Sequence, residues 1–226
     1  MRKFLACHQP NFAPYMGFFY KMYMCDVFTI SDICQFSRTE FHNYNFVKGT
    51  SPSKIKITIP VCSHSLILNE TLLSNFEYCK KKLIKTIMYH YSKFPYFSEV
   101  FSLIQDVLEK DYKTLTELNI SLIMAFKNYF GIQCLILPES SLNINTGNAN
   151  KDIVEIAKTL NCDAYISGSG AKKYIDENVF EKNNVKIVWS KYVDKFDNLS
   201  VIDYAMKYGR HLPKQWEIDY AERNKF

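Results

Sequence analysis

Three polar clusters in this sequence carry side chains suited to proton transfer and anion binding. The first is His8-Gln9-Pro10-Asn11, directly after the apolar run Phe4 to Cys7. An imidazole titrates near neutral pH, so His8 is a candidate general base or acid, with Gln9 and Asn11 as amide partners for a substrate. The second is Ser31-Asp32, continuing to Gln35, Arg38, Asn43, Asn45 and Lys48. Asp32 is expected to orient His8 or to accept a substrate amine or hydroxyl. Asn43 and Asn45 alternate with Tyr44 and Phe46, which sets both amides on one face of a strand, where they could hold a sugar. Lys48 offers an anion contact. The third is Ser167-Gly168-Ser169-Gly170-Ala171-Lys172. Its glycines let backbone N–H groups approach an oxyanion, its serines offer hydroxyls, and Lys172 offers a point charge. A phosphate or pyrophosphate fits such a set.

Each cluster also has a plain structural use: a buried core histidine, a loop cap, a tight strand-to-helix turn. Other chemistries are excluded more firmly. No G-x-x-x-x-G-K-[ST] spacing exists, and Lys173 stands where a dinucleotide fingerprint needs its third glycine. A G-x-S-x-G nucleophile elbow is absent. Glu40 and His42 could join His8 around a metal, but the spacing matches no ligand motif, so no metal site is expected. His64, His90 and His211 lie in segments without other signals and are read as structural.

For these clusters to meet, the elements before them must be strands of one sheet. Phe4–Cys7, Val27–Ile30, Cys134–Leu137, Ala164–Ile166 and Val185–Trp189 read as short buried strands, and Lys54–Ile59 alternates as a half-exposed one closed by Pro60. Helical spacing runs over Gly17–Met22, Leu72–Ile87, Val100–Leu108, Leu115–Phe126, Ile153–Leu160 and Val201–Tyr208, with a short helix after Gly170. The stretch from Cys34 to Gly49 shows no clear period. Strands separated by helices pair in parallel through right-handed crossovers. The expected fold is therefore α/β: a mostly parallel, Rossmann-like sheet flanked by helices, with a helical insertion or cap around residues 70–130. Residues 1–226 are read as a single domain, since no Gly/Ser-rich linker divides them. In such sheets ligands bind at the carboxyl ends of the strands, where all three clusters sit.

Composition agrees. The 226 residues are 47% hydrophobic and 23% charged with seven Gly and seven Pro, which excludes a disordered or collagen-like chain. The net charge of +5 is spread through the chain rather than gathered in a stripe, so no nucleic-acid site is read. Seven widely spaced cysteines without a C-x-x-C pair indicate neither a disulfide framework nor a zinc ribbon. The opening apolar run is too short for a signal peptide, and no apolar stretch approaches the roughly 20 residues of a membrane span. A cytoplasmic protein without membrane insertion is expected.

The stretch His8-Gln9-Pro10-Asn11-Phe12-Ala13-Pro14-Tyr15-Met16-Gly17-Phe18-Phe19-Tyr20-Lys21 resembles the opening signature of the WbqC-like family. So do Asp32-Ile33-Cys34-Gln35, Asn43-Tyr44-Asn45, Phe94-Pro95-Tyr96, Tyr165-Ile166-Ser167-Gly168-Ser169-Gly170-Ala171 and Leu199-Ser200-Val201-Ile202-Asp203. Two features depart from the pattern: Tyr44 replaces the usual Arg, and the short Lys191–Asn198 segment lacks the usual His and Gln. The resemblance implies a role in bacterial surface-polysaccharide assembly, through acyl or aminoacyl transfer to a nucleotide-linked amino sugar. In that reading His8 and Asp32 are catalytic. Gln9, Asn11, Asn43, Asn45, Lys48, Ser167, Gly168, Ser169, Gly170 and Lys172 bind substrate or phosphate. The partners are a nucleotide sugar and an unidentified acyl donor; the cofactor and oligomeric state are unknown. Two alternatives are a nucleotidyl-transfer or adenylate-forming enzyme of the same pathway and a non-catalytic sugar-nucleotide-binding protein.

Overall fold

The computed structural model describes residues 2–62 and 67–225; His64 lies outside them. The strands β1 (Phe4–His8), β2 (Val27–Ile30), β5 (Leu135–Pro138), β6 (Ala164–Ser167) and β7 (Lys186–Trp189) form one parallel sheet in the order β5-β2-β1-β6-β7. The remaining two strands, β3 (Tyr44–Val47) and β4 (Ile55–Thr58), make a separate antiparallel ribbon. The unassigned stretch from Cys34 to Gly49 thus supplies half of that ribbon. The sheet grows from β1 outward to β2 and β5, then the chain crosses back and adds β6 and β7 on the other side. This is the doubly wound plan, and its switch point lies between β1 and β6.

Side-chain alternation along each strand feeds two apolar layers. Phe4, Ala6, Phe28, Ile30, Ala164 and Ile166 face a large core, while Leu5, Val27 and Tyr165 face a smaller one. The smaller core is closed by α5 (Ala149–Thr159) and α6 (Glu177–Glu181). The larger is covered by α1 (Met16–Met24), α7 (Val201–Tyr208) and the helical block between β4 and β5. That block consists of α2 (Phe76–Tyr91), α3 (Phe97–Leu108) and α4 (Leu115–Tyr129). Val100, Ile104, Leu118, Leu122 and Phe126 of this block belong to the same buried cluster as the strand residues Phe4 and Phe28. The insertion is therefore a layer of the sandwich. Leu72 and Leu73, expected at the start of its first helix, instead form isolated extended bridges with Thr114 and Val61.

Local chemistry explains several boundaries. Thr114 accepts the Glu117 N–H, and the Glu117 carboxylate accepts the Thr114 N–H, which fixes the start of α4. Gly131, at φ +68°, ends it. Helix α8 (Lys214–Glu222) shows no apolar stripe in the sequence. It docks by Trp216 packing edge-on against Tyr20, and the residue after it, Arg223, bonds the Met24 carbonyl at 2.6 Å and Asp26 at 2.7 Å.

Candidate functional site

The carboxyl ends of β1 and β6 diverge at the switch point and leave a crevice. A cavity of about 630 Å³ fills it. Its walls include His8 at the end of β1 with Gln9 after it, Lys21 of α1, Ser31 after β2, and Ser167 at the end of β6 with Gly168 to Ala171 after it. The first and third sequence clusters thus share one space that the second reaches through Ser31.

His8 is half-buried, its ring packed edge-on against Phe18 at 5.0 Å, with Nδ1 3.0 Å from the Gln9 carbonyl oxygen. A carbonyl only accepts, so Nδ1 carries the proton and Nε2 keeps a free lone pair. Burial, with Lys21 nearby, pushes the pKa down from 6.5 to about 3. His8 is thus a neutral imidazole at physiological pH. Gln9 is held in turn by His42. The Ser37 N–H donates to His42 Nδ1 (3.1 Å), so His42 Nε2–H donates to Gln9 Oε1 (2.8 Å). The Gln9 oxygen is occupied, and its side chain also interacts with the Cys34 thiol on the same cavity wall.

Lys21 is the residue that sequence reasoning missed. It is only 8% exposed, and its Nζ donates to the Cys7 carbonyl at 3.2 Å. No carboxylate lies within ion-pair distance of it among the described residues. Burial pulls its pKa from 10.5 down to about 8. A signal was present: Gly17, Phe18, Met24 and Cys25 stand at i−4, i−3, i+3 and i+4, so Lys21 sits on an apolar stripe. Cys7 and Tyr165, also missed, share the cavity wall with Sγ and OH 3.2 Å apart. Burial, then the Glu139 carboxylate, pushes the Cys7 thiol up to about 12, so it stays protonated.

Ser167 is 1% exposed and lines the cavity. Its Oγ makes no hydrogen bond by distance and angle, although it lies near enough to the Tyr165 hydroxyl to oppose the rise that burial gives that group's pKa. Gly168, Ser169 and Gly170 also line the cavity, with Ser169–Lys173 forming a single 3₁₀ turn. A Cβ added at Gly168 or Gly170 would meet nothing within 4 Å, and neither has a positive φ. These glycines answer no need of the backbone; they leave space open.

The remaining expected site residues sit elsewhere. Asp32 does not touch His8: its oxygens accept the Ser140 N–H (2.9 Å) and hydroxyl (2.6 Å). Asp32 follows β2, which lies between β1 and β5, and its carboxylate turns to the β5 side, where Ser140 lies in the turn after that strand. Asn45 is buried, donates to the Phe12 and Ala13 carbonyls (3.0 and 2.8 Å) and accepts the Phe46 N–H (2.8 Å). It clamps the loop where Ala13 holds φ +40°. Asn43 donates to the Ile59 carbonyl at 2.9 Å, at the end of the ribbon. Asn11 closes a turn on the Gln9 carbonyl through its N–H (2.9 Å), and its side chain is buried off the cavity wall. Lys48 pairs with Asp197 at 3.4 Å, and Lys172 lies over the Trp189 ring at 5.2 Å. The cation facing the cavity is Lys21. From the helical block, Asn119 adds a second clamp, donating to the Pro10 and His42 carbonyls at 2.6 and 2.8 Å.

Among the described residues no His, Cys, Asp or Glu cluster is placed to hold a metal, and no helix is long and apolar enough to cross a membrane. No solved structure matches the chain. An uncharacterized protein of Mycobacterium tuberculosis is 26% identical over 215 residues, covering 93% of this chain and 89% of that protein. The profile of the WbqC-like protein family matches residues 9–214. That match takes in the loop after β1, the helical block and the turn after β6, and by it the chain belongs to the WbqC-like protein family.

Proposed function

We propose that this chain is an acyl- or aminoacyltransferase that forms an amide on a nucleotide-linked amino sugar during surface-polysaccharide assembly. The observation that carries the reading is the shared cavity. A neutral imidazole with a free Nε2 faces the same space as an open glycine–serine turn, at the switch point where α/β sheets bind nucleotides. At about 630 Å³ it suits a ligand of nucleotide-sugar size.

In this reading the Ser167–Gly170 turn holds the diphosphate and the sugar amine lies toward His8. The amine arrives as an ammonium and must lose a proton before it can attack the acyl carbonyl. His8 Nε2 accepts that proton, with the Gln9 carbonyl holding the ring in the role first expected of Asp32. As the new C–N bond forms, the donor's acyl C–S or C–O bond breaks and its thiol or AMP leaves. A pKa of about 3 in the empty cavity makes His8 a weak base. A diphosphate held in the same cavity raises it, because an anion in that space favours the imidazolium. The pathway is suggested by the family alone.

The test offers the purified protein nucleoside-diphosphate-linked amino sugars with acyl thioesters, or with amino acids and ATP, and reads amide formation by mass spectrometry. His8→Ala is expected to cut turnover far more than nucleotide-sugar affinity; unchanged turnover removes His8 from the mechanism. The switch-point position of the His8 loop also favours a second reading, nucleotidyl transfer, which predicts pyrophosphate release from a nucleoside triphosphate. Ligand-dependent thermal stabilisation with no product under any condition supports a binding protein instead.

A further inference from the structure

We propose that Lys21 and the Ser167 hydroxyl form the anion-recognition end of the cavity and together grip a phosphoryl group. This rests on the cavity being the ligand site of the transferase reading, and it replaces Lys172 with Lys21 as the cation.

Two independent observations point to a missing anionic partner. Lys21 is a buried ammonium facing the cavity with no carboxylate beside it, and one of its three donors is held by the Cys7 carbonyl. A buried charge is ordinarily paired, so an unpaired one that opens onto a cavity asks for a counter-ion. Separately, Ser167 Oγ is a buried hydroxyl on the same wall that makes no hydrogen bond by distance and angle, with the Tyr165 hydroxyl as its near neighbour, in a class of atom that is nearly always satisfied. A tetrahedral oxyanion satisfies both at once, taking two Lys21 donors and the Ser167 O–H. The space left open beside Gly168 gives it room.

Lys21 recognition has a signature that a surface lysine lacks. In the empty cavity its pKa is about 8, so near pH 8 about half of the molecules carry a neutral amine. An anion at Nζ restores the ammonium, and binding takes up about half a proton per site. Sulfate is the suitable probe because it does not titrate there, and inorganic phosphate gives a second.

Calorimetry with sulfate at pH 8, in two buffers of different ionisation enthalpy, is the experiment. Wild-type protein is expected to bind with proton uptake. Lys21→Met should weaken binding about 10- to 100-fold, the loss expected for charge-assisted hydrogen bonds, and abolish the uptake. Lys21→Arg should keep binding without uptake, Ser167→Ala should weaken it several-fold, and Lys172→Met should leave it unchanged. Removing a buried charge does not threaten folding, and equal unfolding cooperativity of each variant checks this. Absence of binding at millimolar sulfate, or equal affinity for Lys21→Met and wild type, overturns the assignment. Lys21-dependent binding without any transfer product supports it and overturns the transferase reading alone. Amide formation with an unaltered KM in Lys21→Met does the reverse.

Discussion

Replacing Lys21 with Met should make the empty protein more stable at neutral pH and less stable at high pH. Lys21 has a folded-state pKa of about 8 against 10.5 when free, a fall caused chiefly by burial. At about 1.4 kcal/mol per pKa unit, holding the ammonium in place destabilises the fold by about 3 kcal/mol below pH 8. Met has nearly the same length and needs no solvation, so it removes that penalty. It also strips the Cys7 carbonyl of its 3.2 Å donor, which costs about 1 kcal/mol. The net expectation at pH 7 is a gain of about 2 kcal/mol. Between pH 8 and 10.5 the unfolded chain binds more protons at Lys21 than the folded one, so wild-type stability rises with pH there relative to the variant. Above about pH 10.5 both forms are neutral, the penalty is gone, and the variant should be the weaker protein by about 1 kcal/mol. Urea unfolding of both proteins from pH 7 to 10.5 measures the difference, in which groups common to both cancel. A difference that stays flat with pH, or a variant already less stable at pH 7, refutes the burial argument.

Further outcomes follow from the same contacts. The His8 ring, with its pKa lowered by burial, should titrate below pH 4 by imidazole NMR; a midpoint near 6.5 contradicts its burial. Because the unfolded chain binds that proton more readily, His8 should withdraw stability as pH falls from about 6.5 toward 3, and His8→Gln should lose less over that window. Asn45→Ala removes the donors to Phe12 and Ala13 and the acceptor for Phe46, so it should cost about 3 kcal/mol in urea unfolding; less than about 1 kcal/mol shows that it is not a clamp. Asp32→Ala should destabilise by about 1–3 kcal/mol through the freed Ser140 groups while leaving the His8 titration unmoved, and a displaced His8 midpoint restores their partnership. Gly168→Ala, at φ −70° with open space around it, should hold or slightly raise the melting temperature yet weaken sulfate binding; no change in affinity means that the space is not ligand space.

Much of the architecture was legible because it rests on local periodicity. Val27–Ile30 and Val201–Tyr208 occupy the residues that their apolar patterns indicate, and the helical block falls within the expected 70–130 insertion. Helix α8 was not legible, since its docking depends on Trp216, Tyr20 and Arg223, partners nearly 200 positions apart, rather than on a stripe of its own. In the ribbon strand Tyr44–Val47 the alternation was legible but the use of its polar side chains was not: Asn45, expected to hold a sugar, is buried by its bonds to a distant loop.

At the site the division is sharper. Residue types alone placed His8 and Ser167–Gly170 at strand ends, because an apolar run followed by a polar turn is a local pattern. Which polar side chains face a ligand and which hold the backbone could not be read that way. An amide or carboxylate near a strand end has the same chemistry in either use, and the choice depends on which orphan carbonyl or N–H the fold brings within 3 Å. The turn after β5 gave Asp32 to Ser140, and the loop over β3 gave Asn45 to Ala13. Lys21 shows the converse: inside an apolar helix it resembles a misplaced surface residue, until packing of that helix against β1 turns its ammonium into the cavity.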